Sequence, residues 1–343
     1  MKALILKEYG SFSYEDVPTP AFGENEVLVR VKACAICGSD VHGMDGSTGR
    51  RRPPIIMGHE VSGVIEKVGS NVGGFKAGDR ITFDSTVYCG ECYFCRRGEI
   101  NLCDNRRVLG VSCDEYSYNG AFAEYVAVPR HILYPLPDKV SFEHAAMIEP
   151  LSVALHAVRR TSVPLNCTAV VVGTGVIGLF IIQLLRASGC GSIIAVDTVQ
   201  DRLDMALKLG ATTGLITGGT DPVREILAET NGRGADISFD AVGISESLKT
   251  AVSCLKKGGS MTLVGNLKAN VDLPLQMVVT RQISLFGSCA SAGEYTDCLE
   301  LIARGAVDAG CLISAAAPLS EGDEWFKRLY RREPGLMKVI LLP

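Results

Sequence analysis

Apolar positions follow two different patterns on either side of Pro150. Upstream, runs such as 26–31 and 61–68 alternate apolar with polar residues, are rich in Val, and end at Gly or Pro turns. That period-2 texture predicts a β-barrel. Downstream, short unbroken apolar runs alternate with helical spacing: 169–172 reads as a buried strand, 176–188 as a helix, 192–196 as a strand and 202–209 as a helix. Strands at 237–240, 261–265 and 283–286, with a helix over 245–255, extend this alternation into an open parallel sheet of about six strands. A helix over 295–303 and a final apolar strand over 339–342 follow, the strand returning to the first domain. The expected class is α/β, with one domain from 1–151 plus 288–343 and a doubly wound domain from 152–287.

A chain of 343 residues, 47 % apolar and 21 % charged, can build two cores. The balance of 34 basic against 38 acidic side chains, net charge −4, leaves no electrostatic footprint for nucleic acid or an anionic membrane, so neither partner is expected. The opening MKALILKE has too short an apolar run for a secretory signal. The long apolar stretch 169–185 is broken by Gly173, Gly175 and Gly178 into strand, turn and helix rather than a membrane span. Thirteen cysteines without a secretory signal fit a reducing cytoplasm, so a cytoplasmic protein is expected.

Cys89, Cys92, Cys95 and Cys103 are spaced C-x2-C-x2-C-x7-C, in a lobe at about 88–104. This spacing predicts an all-thiolate structural Zn²⁺ site, with an iron–sulfur cluster or four unrelated thiols as the alternatives. Gly173-Thr174-Gly175-Val176-Ile177-Gly178 follows a strand and opens a helix, the context that makes a G-x-G-x-x-G motif specific for a dinucleotide. Gly173 permits the turn, Gly175 lets the backbone approach a pyrophosphate, and Gly178 lets helix and strand pack closely. Asp197, nineteen residues after Gly178, would accept hydrogen bonds from ribose hydroxyls and repel a 2′-phosphate, which favours NAD over NADP. Arg202 either covers the adenine side or is an exposed helix arginine. Val242, Gly243, Val264 and Gly265, around the ends of later strands, are read as further cofactor contacts.

Cys37 and the pair His59-Glu60 precede the lobe, and Glu149 follows it where the two patterns meet, positions that suit an interdomain cleft. A thiolate, an imidazole and a carboxylate leave a coordination position open on Zn²⁺, as catalysis requires. Taken singly, such a cysteine or histidine is an ordinary core residue. Cys34, Cys113, Cys167, Cys190, Cys254, Cys289, Cys298 and Cys311 lack mutual ligand spacing and read as packing or surface thiols.

In this order, the motifs resemble the zinc-dependent medium-chain dehydrogenase family over the whole chain. The resemblance implies a GroES-like catalytic domain joined to a Rossmann domain, two zinc ions per chain, and hydride transfer to NAD. It assigns Cys37 and His59 to a catalytic zinc and the four lobe cysteines to a structural one. Residues 147–153, MIEPLSV, are similar to the polyol branch, sorbitol and galactitol-phosphate dehydrogenases, where Glu149 binds zinc directly or through water. Glu60 would sit beside the metal or swing onto it. Ser39 and His42 would relay the substrate proton. The substrate implied is a polyol, sugar alcohol or sugar-alcohol phosphate; L-threonine 3-dehydrogenase and 2,3-butanediol dehydrogenase are the enzymatic alternatives. A non-catalytic zinc and nucleotide-binding protein is the distant one. Cys289-Ala290-Ser291-Ala292 stands where sorbitol dehydrogenases carry an Arg-Tyr pair, which speaks against sorbitol itself. Arg50, Arg51 and Arg52 either approach a substrate phosphate or form a solvated loop. The family also implies a homodimer or homotetramer.

Overall fold

A computed structural model describes residues 1–343 as two compact units, Met1–Glu149 with Tyr295–Pro343, and Pro150–Glu294. The first is built on the ten-residue strand Glu26–Ala35, which pairs antiparallel with Glu60–Val68 along one edge. Its other edge takes Tyr125–Pro129 near the start and Lys338–Leu342 near the end. Beyond these lie Arg80–Phe83 with Leu133–Pro135 on one side and Ile313–Pro318 on the other. Alternation alone understates the enclosure: Val27, Leu28, Val29 and Val31 are all buried, and only Arg30 between them is exposed.

The returning tail adds packing as well as a strand. Phe326, on helix Gly322–Tyr330, is fully buried with its ring edge-on to Phe122, centroids 5.6 Å apart, and joins Leu4, Leu6, Phe83 and Ile81 in one core. Truncating an aromatic ring in such a site costs about 3–5 kcal/mol. Neither strand Ile313–Pro318 nor this helix is among the elements expected from the sequence: the strand is alanine-rich, and the helix is signalled by the amphipathic spacing of Trp325, Phe326 and Leu329 rather than by an apolar run.

The second unit holds six parallel strands in the order Thr213–Ile216, Ser192–Asp197, Thr168–Val172, Ala235–Asp240, Leu255–Leu263 and Ser284–Gly287. Thr213–Ile216 is the strand that the apolar pattern did not reveal, because Thr213 and Gly214 open it. Strand order reverses beside Thr168–Val172, so a crevice opens at the carboxyl ends of that strand and of Ala235–Asp240. Helix Val176–Ala187 starts at this point, with Gly175 as its N-cap and no side chain capping its first N–H groups. No helix of the chain is long and apolar enough to cross a membrane.

Candidate functional site

Strand register brings the first cluster together. Ala35 lies opposite Glu60, so the residue preceding Glu60 and the turn following Ala35 meet at the same end of the sheet. Gly58 makes the turn possible: its φ is +96°, and a Cβ there would stand 2.8 Å from Cys34 Sγ and 2.9 Å from the Phe122 ring. As a result the Cys37 sulfur, a ring nitrogen of His59 and a carboxylate oxygen of Glu60 all lie within 4.8 Å of one another. One soft and two harder donors converging in this way, with His59 and Glu60 buried, fit a zinc ion with room for a further ligand.

Charged groups hold these donors, and two of them, Arg51 and Lys338, had no local sequence signal. Cys37 caps helix Gly38–Gly43: its sulfur accepts the Ser39 N–H at 3.5 Å, while Asp40 Oδ2 accepts the Cys37 N–H at 3.4 Å. Asp40 Oδ1 is gripped by Arg51 Nε at 3.0 Å and by a second guanidinium nitrogen at 2.9 Å, and lies 3.4 Å from His59 Nδ1. That imidazole nitrogen is buried and makes no hydrogen bond of good geometry. Burial alone would raise the Asp40 carboxyl, but His59 and Arg51 hold it down at about 2. Burial alone would lower the His59 imidazolium; the Asp40 and Cys37 charges instead raise it well above the ordinary range when no metal is bound.

Glu60 is bound just as firmly. Lys338 Nζ donates to both its carboxylate oxygens, at 2.8 and 2.7 Å, and to the Ile36 carbonyl at 3.1 Å, with both side chains almost wholly buried. Burial works against the Lys338 ammonium, yet Glu60 above all, and then Cys37, raises its pKa. Glu149 does not join the mutual 4.8 Å group, although the charges of His59, Glu60, Asp84 and Lys338 all act on it. Burial raises its carboxyl to about 7 in the metal-free protein.

The three consecutive arginines do not act as a unit. Arg50 is exposed and Arg52 is exposed and pairs with Asp114, whereas Arg51 is buried against Asp40 and also donates to Ser39 Oγ at 3.2 Å. Arg51 therefore belongs neither to a solvated loop nor to a surface awaiting a phosphate. Ser39 is exposed and His42 partly so, one helical turn apart on the same face.

The four lobe cysteines also converge, all four sulfurs lying within 4.8 Å of one another. Cys89 Sγ is 3.5 Å from Cys103 Sγ and 4.0 Å from Cys95 Sγ, spacings that bracket the edge of about 3.8 Å for a tetrahedron of Zn–S bonds. The backbone N–H groups of Glu91 and Cys92 lower the Cys89 thiol to about 6, while burial and the neighbouring thiols hold Cys95 up at about 12 before metal binds. Two backbone amides thus prepare the first thiolate.

In the second unit, Gly178 has no room for a side chain: a Cβ would fall 1.9 Å from the Gly173 carbonyl oxygen. No atom lies within 4 Å of where a Cβ on Gly175 would stand, which leaves the backbone at the start of the helix open to close approach by a phosphate. Gly243 packs on Gly265, where a Cβ would meet backbone at 2.3 Å, and Val264 and Gly265 donate their N–H groups to the Asp240 carbonyl; with Val242 these residues continue the crevice wall. Asp197 ends its strand, as the motif requires, but its carboxylate is already engaged. Oδ2 accepts the Thr174 N–H at 2.6 Å and the Thr174 hydroxyl at 2.9 Å; Oδ1 accepts the N–H groups of Thr198 at 2.7 Å and Val199 at 3.0 Å. Arg202 is partly buried on helix Gln200–Lys208.

Comparison with known proteins agrees with both halves of this geometry. Residues 23–138 match the alcohol dehydrogenase GroES-like domain and residues 176–304 the zinc-binding dehydrogenase domain. The chain is 33 % identical to a sorbitol dehydrogenase of Bacillus subtilis, covering 100 % of this chain and 97 % of that protein. Among solved structures, a zinc-binding dehydrogenase of Sinorhizobium meliloti bound to NADP superposes with a TM-score of 0.90 at 31 % identity, covering 100 % of this chain and 99 % of that one. Galactitol-1-phosphate dehydrogenase of Escherichia coli superposes with a TM-score of 0.91 at 26 % identity over the full length of both chains. Similarity of this extent, on a fold that gathers two donor clusters and a glycine-rich crevice, makes the chain an enzyme of the zinc-dependent medium-chain dehydrogenase family.

Proposed function

We propose that the enzyme interconverts a secondary alcohol of a polyol or sugar alcohol with its ketone, using NAD. The convergence of Cys37, His59 and Glu60, with Glu149 nearby, carries this reading. Cys37 and His59 hold the catalytic metal, Glu60 and Glu149 supply the carboxylates beside it, and Cys89, Cys92, Cys95 and Cys103 hold the structural one. When bound, the zinc polarises the substrate hydroxyl and the nicotinamide accepts the hydride from the same carbon. Ser39 Oγ, oriented by Arg51, takes the hydroxyl proton as it passes its own toward His42 on the same helix face.

The glycines of 173–178, with Val242, Gly243, Val264 and Gly265, line the dinucleotide site, and the negative charge of Asp197 supports NAD over NADP. The unit Met1–Glu149 with Tyr295–Pro343 is the catalytic domain and Pro150–Glu294 the nucleotide-binding one. Exposed Leu267, Leu273, Leu275 and Val279, close in sequence to the edge strand Ser284–Gly287, support self-association along that edge. The four-thiol lobe suits a reducing, cytoplasmic setting.

The test is NAD reduction by zinc-replete enzyme with sorbitol, xylitol, galactitol 1-phosphate, 2,3-butanediol and L-threonine, compared as kcat/KM. Preference for an unphosphorylated polyol is the expected result, because Arg51 is committed to Asp40. A preference above tenfold for L-threonine would overturn the polyol assignment.

A further inference from the structure

Cys167 and Cys190 lie outside both metal-type clusters, yet their sulfurs are 3.2 Å apart across 23 positions of sequence. The backbone fixes this approach. The Cys167 carbonyl accepts the N–H groups of Gly191 at 3.0 Å and Ser192 at 3.2 Å, and the Asn166 N–H donates to the Gly189 carbonyl at 2.8 Å. Asn166 adopts a φ of +61°, which turns the chain into this clamp before Thr168 and Ser192 enter neighbouring strands in register. Both sulfur-bearing side chains are buried, but their cover is thin: residues 164–166 and 186–188 are exposed, Leu165 by 84 %. Brief opening of the loop 164–166 and fraying of the helix end at 186–188 admit a small reagent.

We propose that Cys167 and Cys190 form a redox modification site, linked as a disulfide by a two-electron oxidant of the hydroperoxide class. In the step, one thiolate sulfur attacks the peroxide, the O–O bond breaks, and a sulfenic acid and one water result. The second thiol then attacks the sulfenic sulfur, the S–S bond forms and a second water leaves. In total two thiols give up two electrons and two protons, and one hydrogen peroxide becomes two waters. The sulfurs must close by about 1.2 Å to reach the bond length of about 2.05 Å, a movement that small side-chain rotations can supply.

Placement determines the consequence. Cys167 precedes strand Thr168–Val172 and Cys190 follows helix Val176–Ala187, so the bond closes a loop around the first strand, the glycine turn and the helix. Gly173 to Gly178 lie at the other end of both elements. The disulfide therefore staples the nucleotide-binding unit from behind, restricting its unfolded state and leaving the cofactor crevice unchanged. Burial raises both thiols and keeps the reactive thiolate scarce near neutral pH, so oxidation should be slow at about pH 7 and quicken toward about pH 9 as more thiolate forms.

The experiment treats zinc-loaded, full-length enzyme with graded hydrogen peroxide, blocks remaining thiols, and digests with trypsin without reduction. Cleavage after Arg160, Arg186 and Arg202 gives peptides 161–186 and 187–202, each carrying a single cysteine, Cys167 or Cys190. The expected product is these two peptides joined, absent from Cys167→Ser and Cys190→Ser. Zinc content measured on the same sample separates this event from oxidation of the four-thiol lobe. Oxidised wild type should show an apparent Tm higher on the order of 5 °C, which neither serine variant gains, and an NADH Kd within about twofold of the reduced enzyme. Recovery of both cysteines in blocked form at doses that oxidise exposed Cys289, or their linkage to other cysteines, would overturn the site. A linked peptide without a rise in Tm would overturn the staple.

Discussion

Lys338→Met tests whether the buried ion pair beside the metal donors is structural. In the native protein, Nζ makes two charge-assisted bonds to Glu60, at 2.8 and 2.7 Å, and neither side chain exposes more than 4 % of its surface. Each such bond contributes about 1.5–3 kcal/mol, and removing one member of a buried pair costs about 3–5 kcal/mol because the remaining charge stays desolvated. Urea unfolding at pH 7 with zinc in excess should therefore show a loss of about 3–5 kcal/mol. Glu60→Gln alone should also destabilise, leaving the ammonium with only neutral acceptors, the substituted side chain's amide oxygen and the Ile36 carbonyl, and no counter-charge. The double variant should lose much less than the sum, giving a coupling energy of at least about 2 kcal/mol. A single-variant loss below about 1 kcal/mol, or strictly additive losses, would refute the reasoning.

Arg51→Ala should destabilise by about 2–4 kcal/mol and sharply lower kcat, because Asp40 loses its cation beside His59; Arg50→Ala should stay within about 0.5 kcal/mol of wild type by the same denaturant assay. Glu149 gives a pH signature in the metal-free enzyme. Its carboxyl, raised to about 7 by burial, binds a proton between pH 4.5 and 7 that the unfolded chain does not, so stability falls as pH rises through that window. Glu149→Gln should therefore raise metal-free stability by up to about 3 kcal/mol at pH 8 and by little at pH 4.5; equal effects at both would contradict this origin. His42→Ala should lower kcat most near or below neutral pH with zinc content unchanged, and unaltered turnover would remove His42 from the proton path. Thr174→Val should free one acceptor position on Asp197 and tighten NADH binding by about fivefold in a fluorescence titration, whereas Asp197→Ala should narrow the gap between NADH and NADPH.

What could be read from the chain alone was whatever short-range spacing encodes. The four lobe cysteines fall within fifteen residues and the glycines within six, and each set folds into one turn or lobe whose geometry follows from its own backbone. Strand texture served equally well where apolar runs were continuous, at Thr168–Val172 and Ser192–Asp197, and failed at Thr213–Ile216, which begins Thr-Gly. Asp40 was within reach, since an acid three residues past a capping Cys37 is a recognisable helix-start signal. Arg51 was not. Its neighbours Arg50 and Arg52 gave the run the appearance of a solvated loop, and only the folded chain turns one guanidinium inward.

Lys338 shows why such residues escape local reading. It lies 278 positions from Glu60, on a strand that joins the sheet opposite Cys34 and Ala35, so its meaning depends on a register that no window of sequence contains. The same strand explains the tail's role in the first unit. A lysine at the start of Lys338–Leu342 would be an unpaired buried charge in any arrangement that left Glu60 elsewhere, and Glu60 would be likewise without it. The pair therefore penalises a slipped register of the last strand at the position where Cys37, His59 and Glu60 must converge. Correct pairing of the last strand with Glu26–Ala35 and correct placement of the metal donors are coupled in this chain, and the cost of a buried ion pair is what couples them.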